Sequence, residues 1–142
     1  MFANPALKIY ALVTAILGIH LYLLAGYTGA VRNRHKSSVN PEDTAVHKGA
    51  TAEIDHPAVA RVKRAHLNAM ENALPFFAVG LMYAFSAPSD TGAYAYYFTF
   101  LGARLLHSIF YLTGKQPFRT ITFAVGALAV IGMAVHVIRA TI

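Results

Sequence analysis

Four long uncharged runs limit what this chain can fold into. Residues 9–31, 72–89, 91–114 and 120–138 carry no Asp, Glu, Lys or Arg except Arg104 in the third. A hydrocarbon layer about 30 Å thick takes about 20 apolar residues of helix to cross, so each run is a candidate span. Inside lipid every backbone polar group must be satisfied within the segment, which argues for helices and against strands with open edges. The predicted fold class is an all-α membrane protein, a four-transmembrane-helix bundle forming a single domain over 1–142. The helices are expected over about 5–34, 57–87, 93–113 and 117–139.

Composition agrees. The chain is 56% hydrophobic and 13% charged, against about 25% charged for soluble domains. A net charge of +6 would suggest nucleic acid in a soluble protein, but the positions of the cations give another reading. Arg32, Arg34, Lys36, Lys48, Arg61, Lys63 and Arg64 lie between the first and second runs, Lys115 and Arg119 between the third and fourth, and none surrounds Asp90. The positive-inside rule places both basic loops on the cytoplasmic side and the termini opposite, with Lys8 and Arg139 counting against it. No nucleic-acid partner is expected. The first run exceeds a signal-peptide core and reads as a retained helix. The absence of cysteine and the short termini fit a bacterial inner membrane. Without cysteine, any thiol chemistry needs a bound thiol.

Local signals set the helix ends. Pro5, Pro57 and Pro117 suit first helical turns, Asp55 or His56 can cap the second helix, and Gly114 ends the third. The short link between helices three and four predicts antiparallel neighbours. Asn40 can cap a short turn opened by Pro41. Pro75 lies inside helix two, where it frees the carbonyl of Glu71 and predicts a kink. Gly18, Gly26 and Gly29 allow close helix approach.

The polar residues at membrane depth need a reason. Arg61, Arg64, Asn68 and Glu71 recur at helical spacing along one stripe, and Arg104, His107 and Tyr111 along another. A lone charge inside a membrane helix costs about 2.5–3.5 kcal/mol on insertion scales. A Glu71–Arg104 contact is therefore expected, either as a structural staple or within a site. Arg32, Arg61, Arg64, Arg104 and Arg119 offer more positive charge than Glu71 can offset, which asks for an anionic ligand; Asn68 and Tyr111 would add polar contacts. Arg34, Lys36, Lys48 and Lys63 read as anchors to anionic lipid heads. His20 and His136 read as packing residues, and His35, His47 and His56 as solvated. No histidine and carboxylate spacing suggests a metal site.

At these residues the chain resembles a known family. Residues 64–72, Arg-Ala-His-Leu-Asn-Ala-Met-Glu-Asn, followed by Pro75-Phe76, resemble the helix-two signature of MAPEG, the membrane-associated proteins of eicosanoid and glutathione metabolism. Residues 28–32, 40–43, 104–111 and 117–120 are similar to one branch, the microsomal prostaglandin E synthases, with the glutathione transferases alongside. The resemblance implies a homotrimer with glutathione bound between subunits near the cytoplasmic side. It implies that Tyr22, Arg32, Asn68, Glu71, Arg104, His107, Tyr111 and Arg119 bind the cofactor. Glu71 would meet its amino group and the arginines its carboxylates. Arg119 and Thr120 would act at the sulfur, and Asp43, with Arg119, would assist isomerisation. Leu67 and Phe123 depart from the branch, which has an arginine and a tyrosine there, and the loop before Arg119 is one residue shorter.

The implied function is a glutathione-dependent transferase, peroxidase or isomerase acting on a lipophilic substrate that enters between helices one and four of adjacent subunits. Two alternatives remain at this point: a non-catalytic lipid-binding partner like the 5-lipoxygenase-activating protein, and a small channel.

Overall fold

The structure, a computed structural model, describes residues 4–44 and 50–142. His47 and Lys48 lie outside the described residues. Four α-helices account for most of the described residues: α1 (Pro5–His35), α2 (Pro57–Phe85), α3 (Asp90–Thr113) and α4 (Gln116–Thr141). The observed ends follow the local signals closely. Asn4 caps α1 by accepting from Ala6 and Leu7, and its amide donates to the carbonyl of Ala84 at 2.8 Å, tying the start of α1 to the end of α2. His56 caps α2 through Nδ1, which accepts from the Ala58 amide at 3.2 Å. Gly114 closes α3 with φ +73. That left-handed backbone calls for glycine, and the Arg61 guanidinium lies over the position, 2.8 Å from where a Cβ would stand.

α1 and α4 are long and apolar enough to cross a membrane by composition. α2 and α3 have 29 and 24 residues, about 44 and 36 Å at 1.5 Å per residue. Their apolarity is diluted by the arginines of the first turns of α2 and by Arg104, His107 and several tyrosines of α3. The predicted kink does not divide α2, which continues unbroken through Pro75. The expectation of no strands holds for the helical runs but not for the first loop, where Ser37–Ser38 (β1) pairs in parallel with Ala50–Thr51 (β2). Outside lipid that restriction has no force. A 3-10 turn spans Pro41–Asp43. Its Asn40 side chain does not cap the backbone; its amide donates to Asp43 at 3.2 Å.

α3 pairs most extensively with α4, as the short link requires, and α1 pairs next with α2. The main core is aromatic. Phe76 and Phe100 stack at 4.3 Å with near-parallel rings, and Tyr97 meets Phe76 edge-on. The Tyr97 hydroxyl donates to the carbonyl of Gly80 at 2.8 Å, and that of Tyr10 to Phe77 at 2.9 Å. Gly80 admits the Tyr10 ring, which would lie 3.2 Å from an added Cβ.

Candidate functional site

The site forms where α2, α3 and the first turns of α4 converge. Arg104 is 2% exposed. One guanidinium nitrogen donates to Asn68 Oδ1 at 2.7 Å, while its Nε and Nη1 are buried without a protein partner. Because arginine can only donate, this bond assigns the Asn68 oxygen to Arg104 and leaves the Asn68 NH₂ free. The expected Glu71–Arg104 contact is not formed. Glu71 is exposed, and the ion pairs among the described residues are Arg32–Asp43, Arg32–Asp55 and Lys63–Asp55. Three residues advance a helix by about 300°, so Glu71 lies about 60° round α2 from Asn68. That rotation carries it off the inward face.

One turn further along α3, His107 is buried, and its Nδ1 donates to the Arg119 carbonyl at 2.9 Å. That hydrogen bond links α3 to the first turn of α4 and fixes where Arg119 and Thr120 stand. The His107 Nε2 is buried with no partner. The Arg119 guanidinium lies over the Tyr111 ring, 4.7 Å from its centre, a geometry that holds a cation without a counter-ion. A cleft of about 230 Å³ is lined by Asn68, His107, Tyr111, Arg119, Thr120 and Phe123. It adjoins a second of about 210 Å³, which shares Tyr111 and Arg119 and adds Arg61, Arg64, Gly114 and Gln116. No Asp or Glu lines either one.

Five of the residues expected at the site therefore line one cleft: Asn68, His107, Tyr111, Arg119 and Thr120. Arg104 stands behind Asn68. The others are elsewhere in a single chain. Arg32 pairs with Asp43 at 3.5 Å; within a single chain the expected partnership of Asp43 with Arg119 is not among the ion pairs of the described residues. The two short carboxylate-bearing segments around Asp43 and Asp55 converge on the end of α1, where Arg32 meets both, while Asp55 also pairs with Lys63 at 2.7 Å. Tyr22 is 83% exposed on α1.

The sequence marks Gln116 only as part of a helix start, and the structure brings it to the site. Its amide reaches the Thr120 hydroxyl at 3.4 Å, and its position four residues before Thr120 on a helix was the available signal. Ser108 on α3 is buried and meets His20 at 2.9 Å. That contact gives His20 a structural place, as does the 5.0 Å ring contact between His136 and Tyr83. His35 and His56 are not simply solvated: their rings stack at 3.9 Å.

Residues 10–139 match the sequence profile of the MAPEG family. Prostaglandin E synthase of Homo sapiens is 36% identical over 140 residues, covering 97% of this chain and 91% of the relative. Microsomal glutathione S-transferase 1 of Rattus norvegicus is 36% identical over 141 residues, covering 96% and 91%. The human form of that transferase is also 36% identical, over 135 residues, covering 92% and 87%.

Proposed function

The chain belongs to the MAPEG family, and from that membership we propose that it is an integral membrane enzyme that binds glutathione and directs it at a lipophilic electrophile, peroxide or endoperoxide. The observation that carries this reading is the cleft of Asn68, His107, Tyr111, Arg119 and Thr120 with its adjoining extension at Arg61 and Arg64, which together offer cations and donors and have no carboxylate in their lining. Glutathione has two carboxylates, an ammonium group and a thiol. It suits a site with several arginines, spare donors and one acid nearby.

Arg119, with Arg64 beyond it, would hold the carboxylates; the planar guanidinium suits them. The free Asn68 NH₂ would donate to the peptide backbone of the ligand, and Glu71 would hold the ammonium. Bound glutathione supplies the thiol that this cysteine-free chain lacks. The Arg119 charge would favour the ionised form of that thiol, with the Thr120 hydroxyl as hydrogen-bond donor to it. Tyr111 keeps Arg119 in place, and Phe123 keeps that end of the cleft apolar. Asp43, paired with Arg32, stays outside the cleft in one chain, so a catalytic part for it requires a neighbouring copy.

A homotrimer with the complete site between subunits accounts for Tyr22, Arg32 and Glu71 lying away from the cleft. Gly18, Gly26 and Gly29 support it. Among the described residues nothing outside its own helix backbone approaches within 4 Å of a Cβ added at any of them, which leaves that face of α1 open to a helix of another copy. Exposed Ile19 and Leu23 on α1 and Ile121 and Leu128 on α4 would line the route of a substrate arriving from lipid.

The test is glutathione binding by calorimetry, with oligomeric mass measured on the same detergent-purified protein. The expected result is a three-chain mass and about tenfold or greater weakening in Glu71→Gln, as for loss of a charge-assisted bond. A monomer, or binding indifferent to Glu71, would contradict the intersubunit site.

A further inference from the structure

A notch of about 430 Å³ opens where the end of α1 meets the start of α2 and the end of α3. It lies beside the glutathione cleft, with Arg61 lining both the notch and the cleft's basic extension. Its floor is apolar: Val31 and Val62 are buried, with Ala58 and Leu112 packed against them. Its rim is cationic, with Arg34 from α1 and Arg61 from α2, both exposed. The ion pairs among the described residues involve Arg32 and Lys63, so neither rim arginine has a carboxylate partner. The residues outside the described range include no Asp or Glu that could supply one.

The notch has a fixed upper wall. The stacked rings of His35 and His56 hold the end of α1 against the start of α2. Arg32 reaches Asp55 across the same junction at 3.7 Å. Along α1, at 1.5 Å per residue, Arg34 stands about 1.5 Å from that wall, Val31 about 6 Å and Tyr27 about 12 Å. On α2, Arg61 stands about 7.5 Å from it, level with Val31 and Val62. The two guanidinium groups therefore edge the apolar floor, and a phenol lies beyond it toward the apolar run of α1. A ligand that joins an anionic head to an apolar chain fits that lining.

We propose that this notch binds one anionic membrane phospholipid, its phosphate between Arg34 and Arg61 and the upper part of an acyl chain lying on Val31, Val62 and Leu112 past Tyr27. Guanidinium groups suit phosphate oxygens. A soluble anion would use the rim and leave the apolar floor bare. A diffuse attraction to a charged surface would use the rim without depending on the shape of the floor.

Full-length protein in detergent is offered phosphatidylglycerol or phosphatidylcholine with matched acyl chains, and retained lipid is counted by native mass spectrometry. Arg34→Gln and Ala58→Leu are compared with the wild type after circular dichroism has confirmed their helix content. The expected result is one phosphatidylglycerol per chain, retained in preference to phosphatidylcholine. Retention weakens roughly fivefold in Arg34→Gln, the effect of one interfacial cation. It is lost in Ala58→Leu, which keeps every charge and fills the floor. Glutathione binding by Arg34→Gln stays at the wild-type level, so failure here is separable from failure of the proposed enzyme site. Equal retention of the two lipids, or equal retention by wild type and Arg34→Gln, overturns the proposal. Displacement of the lipid by inorganic phosphate alone would mark a soluble-anion site and overturn it as well.

Discussion

The two ends of the bundle use polar groups in opposite ways. Around Phe76, Tyr97 and Phe100 the interior is aromatic, and the hydroxyls of Tyr10 and Tyr97 are spent on carbonyls of α2; Thr14 keeps a buried hydroxyl without a partner. Around Arg104 and His107 the interior holds a buried guanidinium with two unpartnered nitrogens and a buried imidazole with one. Leaving a buried donor or acceptor unsatisfied costs about 1–3 kcal/mol, more when charged. The first end satisfies its polar groups within one chain except at Thr14; the second leaves three buried nitrogens without a protein partner. On the reading proposed above, the first end serves stability and the second serves binding.

The comparison is broken most severely by substitutions at the aromatic end. Phe76→Ala removes a fully buried ring stacked on Phe100 and is expected to cost about 3–5 kcal/mol, read as the midpoint of unfolding in a denaturing-detergent titration. At the other end, Arg119→Ala is expected to lower kcat/KM by about 10²–10³, the range for losing one charge-stabilising donor. Its unfolding midpoint should shift by only about 0.5–1 kcal/mol, the worth of its contact with Tyr111.

The double substitution Arg104→Met with Asn68→Leu sharpens the contrast. Replacing both partners of a hydrogen bond by apolar groups can be nearly neutral or stabilising, so the protein should keep or gain stability in that titration while losing glutathione binding in calorimetry. The smallest effect is expected for Leu67→Arg. Leu67 is 49% exposed, and stability should stay within about 0.5 kcal/mol. Affinity for glutathione should tighten about tenfold, the worth of one added charge-assisted contact.

The sequence made the elements legible and the pairings much less so. Pro5, Pro57, Gln116-Pro117 and Gly114 mark helix ends through backbone rules that act within a few residues, and the structure places the ends there. Helical spacing put Asn68 and Glu71 on one stripe, but a stripe has width. Asn68 turned inward to Arg104, and Glu71 stayed outside. Which helix a stripe faces depends on the rotation of each helix in the bundle, and that is decided by packing partners far away in the chain. The same limit hid the Arg32–Asp43 pair, which depends on how the first loop folds back on α1. Among the described residues α1 and α4 alone pass as spans by length and hydropathy, because the polar residues of the site lie on α2 and α3 and lower theirs. The arginine excess, by contrast, was legible from sequence alone, since a surplus of one charge does not depend on how the helices turn.

The central claim is that Arg119 places a positive charge where the sulfur of glutathione ionises. It is tested most directly by the ultraviolet thiolate band on adding glutathione to the detergent-purified protein, followed across pH in wild type and Arg119→Ala. A free thiol ionises near pH 8.5. The account predicts a band that persists well below that pH in the wild type and recedes toward the free-thiol midpoint in Arg119→Ala. A wild-type band that titrates with the free thiol, or one that Arg119→Ala leaves in place, would contradict it.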